Sequence, residues 1–161
     1  MDELNEQTVP PEAVIDNPPA KKTIFTKKNI LIGIAALVLI AAIVLIALYP
    51  RIRFNQAKNK AVDIAGQISS RGNGNFTVDT NPYEDTAMDP MVIAMLAPDA
   101  QEGALNAIEY VNEALGFNGA LYDRMLETNA LMGRQSEENK HYRVSWTYHP
   151  DEGLEVTYEI K

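Results

Sequence analysis

Residues 30–49 constrain this chain more than any other stretch: twenty consecutive uncharged residues, thirteen of them Leu, Ile or Val. As a helix rising about 1.5 Å per residue, the run covers about 30 Å, the thickness of a bilayer's hydrocarbon core. Central Leu, Ile and Val side chains each contribute about −0.3 to −0.6 kcal/mol to insertion. Their sum exceeds the roughly 3 kcal/mol that one buried charge would cost. The run therefore predicts a membrane-spanning helix. Its apolar core is longer than that of a cleaved leader, and small residues do not fall at the −3 and −1 positions of a cut, so an uncleaved anchor is expected. Within the run Gly33 is followed four residues on by Leu37 and Ala41 by Leu45. The small-residue spacing that draws membrane helices together is therefore missing.

Ahead of the run, residues 1–20 hold five acids and two Pro-Pro pairs, with few large apolar side chains. Such a segment cannot bury enough surface to offset its ordering entropy, and residues 1–28 read as a disordered tail. Lys21, Lys22, Lys27 and Lys28 lie on one side of the span, and Arg51, Arg53, Lys58 and Lys60 on the other. The counts tie, so charge alone leaves orientation open. Lys27 and Lys28 beside the apolar run, at the end of a short polar tail, favour a cytoplasmic amino terminus and an extracytoplasmic carboxy-terminal domain.

About 110 residues follow the span, which is room for one small domain. From Ala61 onward there are six Lys or Arg against seventeen Asp or Glu, a balance that a phosphate backbone would repel; nucleic acid is excluded as a partner. The chain has no Cys, which removes disulfides, Cys-ligated zinc and thiol catalysis together.

Pro50 lacks an amide hydrogen and biases Tyr49 away from helical geometry, so the spanning helix is predicted to end or kink there, at residue 49. A second, juxtamembrane helix is expected over residues 50–71. Phe54, Ala57, Ala61, Ile64 and Ile68, spaced 3, 4, 3, 4, give it one apolar face. Two heptads with two Ala in the seam are too few for a coiled-coil stalk, so this helix is expected to pack on its own domain.

Residues 72–161 read as a small α+β domain. Gly and Asn make a turn of residues 71–75, and Phe76 to Thr80 alternate apolar and polar as a short strand does. Residues 90–97 are apolar throughout and read as a short buried helix in preference to a strand. Asp99 with Glu102 three residues on reads as the capping box that opens the next helix, with Ala104, Leu105, Ile108, Val111 and Leu115 inward and Gly116 as its left-handed end. Asn118 caps a further helix, its inner face made by Leu121, Tyr122, Met125, Leu126 and Met132. Residues 134–140 read as a polar connection. Tyr142, Val144, Trp146 and Tyr148, then Leu154, Val156, Tyr158 and Ile160, alternate with polar residues. Joined by Pro150-Asp151-Glu152-Gly153, they predict a β-hairpin.

Two stretches, residues 133–139 and 145–156, are similar to the carboxy-terminal part of small membrane-anchored proteins of Gram-positive bacteria. The likeness covers the last third to half of the chain. Some of those proteins carry a zinc ribbon before the span; with no Cys here, none is carried over, and the resemblance implies no activity. The order of membrane helix, amphipathic helix and antiparallel sheet also resembles that of type IV pilins, but this chain enters its span as Lys27-Lys28-Asn29-Ile30, without the pilin cleavage site or its helical Glu.

The sequence offers no set of groups for chemistry. His141 and His149 lie too far apart along one strand to share a metal, Glu137-Glu138 and Asp151-Glu152 are adjacent acids in turns, and no Ser has the context of a strained nucleophile. An enzyme and a cofactor are not expected. The aromatic face of Tyr142, Trp146, Tyr148 and Tyr158 is either the domain's core or a stacking platform for ligand, and so small a domain is expected to need these rings inside. The functional expectation is a non-catalytic interaction or structural module anchored in the membrane at the cell envelope. Its partners would be the lipid bilayer and an unidentified protein, with a module for cell-wall glycan or peptide as the alternative.

Overall fold

The structure is a computed structural model in which residues 27–70, 72, 74–83 and 86–161 are described. The amino-terminal tail before Lys27, with Lys21 and Lys22, lies outside the described residues, as do Arg71 and Asn73 of the turn. The chain is α+β, with one helix long and apolar enough to cross a membrane, further helices, and one four-stranded antiparallel sheet. It divides into two compact units, the first ending at Leu39 and the second running from Ile40 to Lys161.

Helix α1 spans Lys27–Ala65, and its large apolar side chains from Ile30 to Leu48 are exposed, as a lipid-facing helix requires. It does not end at Pro50. A proline removes one helical hydrogen bond, but its ring locks φ near the helical value, so the chain can continue when later turns are held by packing. Here Phe54, Ala57 and Ala61 are buried in the domain core, with Ile64 packed against them. The expected juxtamembrane helix is thus the last four turns of α1 and packs on its own domain. It stops at Ala65, short of residue 71, where Gly66 takes φ +74° and its amide bonds the Val62 carbonyl at 2.9 Å. Ile68 therefore lies beyond the helix, and Ser69 instead forms a β-bridge with Thr77.

Strand β1, Asn75–Asp79, pairs antiparallel with β4, Gly153–Ile160. Strand β4 pairs in turn with β3, Tyr142–His149, and β3 with β2, Gln135–Glu138, in the order β1-β4-β3-β2. The polar connection expected at residues 134–140 is therefore partly strand. Gln-Ser-Glu-Glu shows no apolar alternation because it pairs through its backbone at a sheet edge, where charged side chains discourage further pairing. Glu137 and Arg124 form an ion pair, and Glu138 bonds both Arg143 and Lys161. Those two cations, Lys161 foremost, hold the Glu138 carboxyl below its ordinary range.

Helix α2, Pro90–Leu115, is a single helix of 26 residues with Pro98 inside it. Its N-cap is Asp89, whose Oδ1 accepts the Met91 amide at 2.8 Å, so Asp99 caps nothing and the boundary expected there does not exist. Gly116 ends it at φ +76° as expected, and the Phe117 amide closes onto the Asn112 carbonyl at 2.9 Å. Gly103 marks a close crossing: a Cβ on it would lie 2.9 Å from the Ile64 carbonyl oxygen of α1.

Helix α3, Ala120–Leu126, is two turns long and is followed by a 3-10 turn, Ala130–Met132. Asn118 accepts the Ala120 amide at 3.1 Å. Leu121 and Met125 are buried, whereas Leu126, the last residue of α3, and Met132, beyond it in the 3-10 turn, were expected inward and are exposed.

The last turns of α1, together with α2 and α3, cover one face of the sheet. There Phe54 lies between Phe76 and Tyr142, with ring centroids 5.2 and 6.0 Å away, and Phe76 stacks on Tyr158 at 5.2 Å. The Tyr142 hydroxyl donates to the Pro50 carbonyl at 2.8 Å. The other sheet face is polar. Thr77 and Thr157, paired across β1 and β4, share a 2.8 Å hydroxyl bond, and Ser145 and Ser136 continue the row across β3 and β2.

Candidate functional site

The four aromatic residues do not make a ligand platform. Tyr142, Trp146 and Tyr158 are buried among the helices, so their faces are closed to a stacking sugar. The Trp146 indole, 4% exposed, donates to the Thr128 hydroxyl at 2.8 Å, and Thr128 in turn donates to the Arg124 carbonyl at 2.8 Å. The Tyr158 hydroxyl reaches Asn112 Oδ1 at 2.9 Å, and burial pushes its pKa well above the ordinary tyrosine value. These bonds satisfy polar atoms that the core would otherwise strand. Tyr148 alone of the four reaches the surface, at 36% exposure. It lines a cleft of about 320 Å³ at the hairpin end of the sheet, together with Gln101, Asn81 and Asp151. Asn81 Nδ2 donates to the Asp151 carbonyl at 2.9 Å, which ties the hairpin loop to the end of β1.

Asp79 stands opposite Glu155 across β1 and β4, a like-charge pair that costs stability. Burial, opposed by the Asn81 amide and reinforced by Glu152, raises the Asp79 pKa. His141 and His149 are both exposed, just before and at the end of β3. Among the described residues no group of three or more His, Asp or Glu is placed to hold a metal ion.

The surface feature that calls for explanation is the outward face of α2. The helix buries Ala104, Ala107, Ile108, Val111 and Leu115 in its second part and nothing in residues 90–98. Met91 is 81% exposed and Met95 78%, and Met88 and Val92 are exposed beside them. Spacings of three and four place Met91, Val92 and Met95 on one stripe, with Met88 just ahead of the helix, and the same stripe continues through Asp99, Glu102, Glu109 and Glu113, all exposed. A helix normally turns apolar residues inward and polar ones outward, so an apolar stretch on the line that later carries the charges is the reverse of what folding alone requires.

Residues 90–97 are not buried as an all-round apolar segment usually is. The available signal was that Met91 and Met95 fall on the line of Asp99 and Glu102 rather than on that of Ala104 and Ile108. Comparison of the chain with models of protein families, with curated proteins and with solved structures finds no match.

Proposed function

We propose that the protein is a non-catalytic, single-pass membrane-anchored interaction module, with its domain on the extracytoplasmic side and its partner meeting the outward face of α2. The observation that carries this reading is the exposed apolar stripe Met91, Val92 and Met95, with Met88 just ahead of it, on a helix whose other half is well buried. Anchoring is supported by the length and apolarity of α1, none of whose spanning window is buried. The proposed orientation rests on Lys27 and Lys28 at the edge of the apolar run.

The absence of native Cys makes the orientation directly testable. With Thr8→Cys and Ser136→Cys made singly, each protein has one thiol, and a membrane-impermeant maleimide is applied to intact cells. Labelling of the Ser136→Cys chain and not of the Thr8→Cys chain is expected. The reverse pattern would put the domain in the cytoplasm and remove the envelope partner from the account.

A further inference from the structure

We propose that the outward face of α2 docks a segment of another protein that sets large apolar side chains against Met88, Met91, Val92 and Met95 and Lys or Arg side chains against Asp99, Glu102, Glu109 and Glu113. This rests on the reading of α2 as the interaction surface and adds the chemistry of its partner. The division of the face is sharp: apolar up to Met95, acidic from Asp99, along about 38 Å of helix at 1.5 Å per residue.

Charge identifies the partner. Residues 72–123 contain no Lys or Arg, so α2 has no cation of its own to pair at i±3 or i±4. Among the described residues the ion pairs tie Arg124, Arg143, Lys161 and His149 to Glu137, Glu138 and Glu152, and none reaches the four acids of α2. Asp99 with Glu102 and Glu109 with Glu113 are like-charge neighbours on the helix, and each pair is destabilising. A basic segment would relieve that repulsion while burying the methionines, whose unbranched, polarizable side chains adapt to varied apolar surfaces.

The other occupants fit poorly. A second copy laid parallel would place acids beside acids, and one laid antiparallel would press carboxylates onto methionines, where they lose hydration without a partner. A bilayer surface carrying anionic lipid would repel the acidic half.

The test uses the full chain in nanodiscs of zwitterionic lipid, with empty discs as the blank, and two fluorescent helical peptides. One has a Leu block followed by a Lys block; the other has the same Leu block followed by Glu. Binding of the Leu-Lys peptide is expected to exceed that of the Leu-Glu peptide, to weaken with added salt, and to fall at least about tenfold both in Met91→Gln/Met95→Gln and in Asp99→Asn/Glu102→Gln/Glu109→Gln/Glu113→Gln. Glu155→Gln, on the sheet, should leave it unchanged, and circular dichroism should report intact folding for every variant, since all the altered side chains are exposed or half-exposed.

Equal binding of the two peptides, unchanged binding by the α2 variants, α2-dependent dimers in sedimentation, or stronger attachment to anionic than to zwitterionic vesicles would each overturn the proposal. If the peptides fail while position 95 is shielded in cells, the partner chemistry is wrong and the interaction surface stands. If position 95 is also open in cells, the surface itself is wrong.

Discussion

Trp146→Ala is expected to destabilise the domain by about 3 to 5 kcal/mol, the usual cost of removing a large buried ring. The indole is almost wholly enclosed, and its N–H bond to Thr128 is the link between β3 and the end of α3, because the Thr128 hydroxyl in turn donates a hydrogen bond to the Arg124 carbonyl. Truncation leaves a cavity beneath the helices and takes from Thr128 the donor it accepts from. Tyr148→Ala, two residues along the same strand face, should cost about 1 kcal/mol or less, since its ring already meets solvent. Chemical unfolding of the purified full chain, followed by circular dichroism, compares the two. Equal losses would mean that Trp146 is not the buried member of the pair.

Gly153→Ala should cost about 2 to 3 kcal/mol, a large effect for one methyl group. Gly153 sits at φ +82°, where a side chain is strained by roughly 1 to 2 kcal/mol. A Cβ there would also come within 2.6 Å of Thr80 Oγ1. That oxygen cannot simply retreat, because Thr80 is buried and its hydroxyl accepts the Leu154 amide at 2.8 Å, beside a Thr80 amide bond to the Leu154 carbonyl at 3.1 Å. A double-mutant cycle with Thr80→Ala separates the two causes. In that background the steric part disappears and Gly153→Ala should cost only the backbone part. Strict additivity would show that the contact with Thr80 contributes nothing.

What the sequence disclosed and what it concealed follow from where each signal is written. β3 and β4 were legible because their side chains alternate strictly and a turn sequence separates them, and Gly116 announced the end of α2 because a left-handed cap needs that residue. β2 was not, since an edge strand of Gln, Ser and two Glu is specified by the backbone of β3 rather than by its own side chains. Pro50 and the Asp99-Glu102 pattern read as boundaries on local grounds alone; Pro50 and Pro98 both lie inside helices whose later turns are held by burial of Phe54 and Ala57 in one case and of Ala104 and Ile108 in the other. Tertiary packing of that extent outweighs the roughly 3 kcal/mol that a proline costs within a helix. The misplaced start of α2 had a further consequence. With the helix opened at Asp99, residues 90–97 were a separate apolar piece to be buried, and the reversal of polarity along the outward face was invisible until Asp89 was seen to cap the whole.

If α2 is the interaction surface, Met95 and its neighbours are covered by a partner in the cell. Met95→Cys supplies the only thiol of its chain at a position that is open in the isolated protein. Its rate of maleimide labelling, taken relative to that of Ser136→Cys, should be several-fold lower in intact cells than in the detergent-purified chain, where no partner remains. The same ratio in cells and in the purified chain would contradict the claim, because it would mean that the apolar end of α2 stays bare.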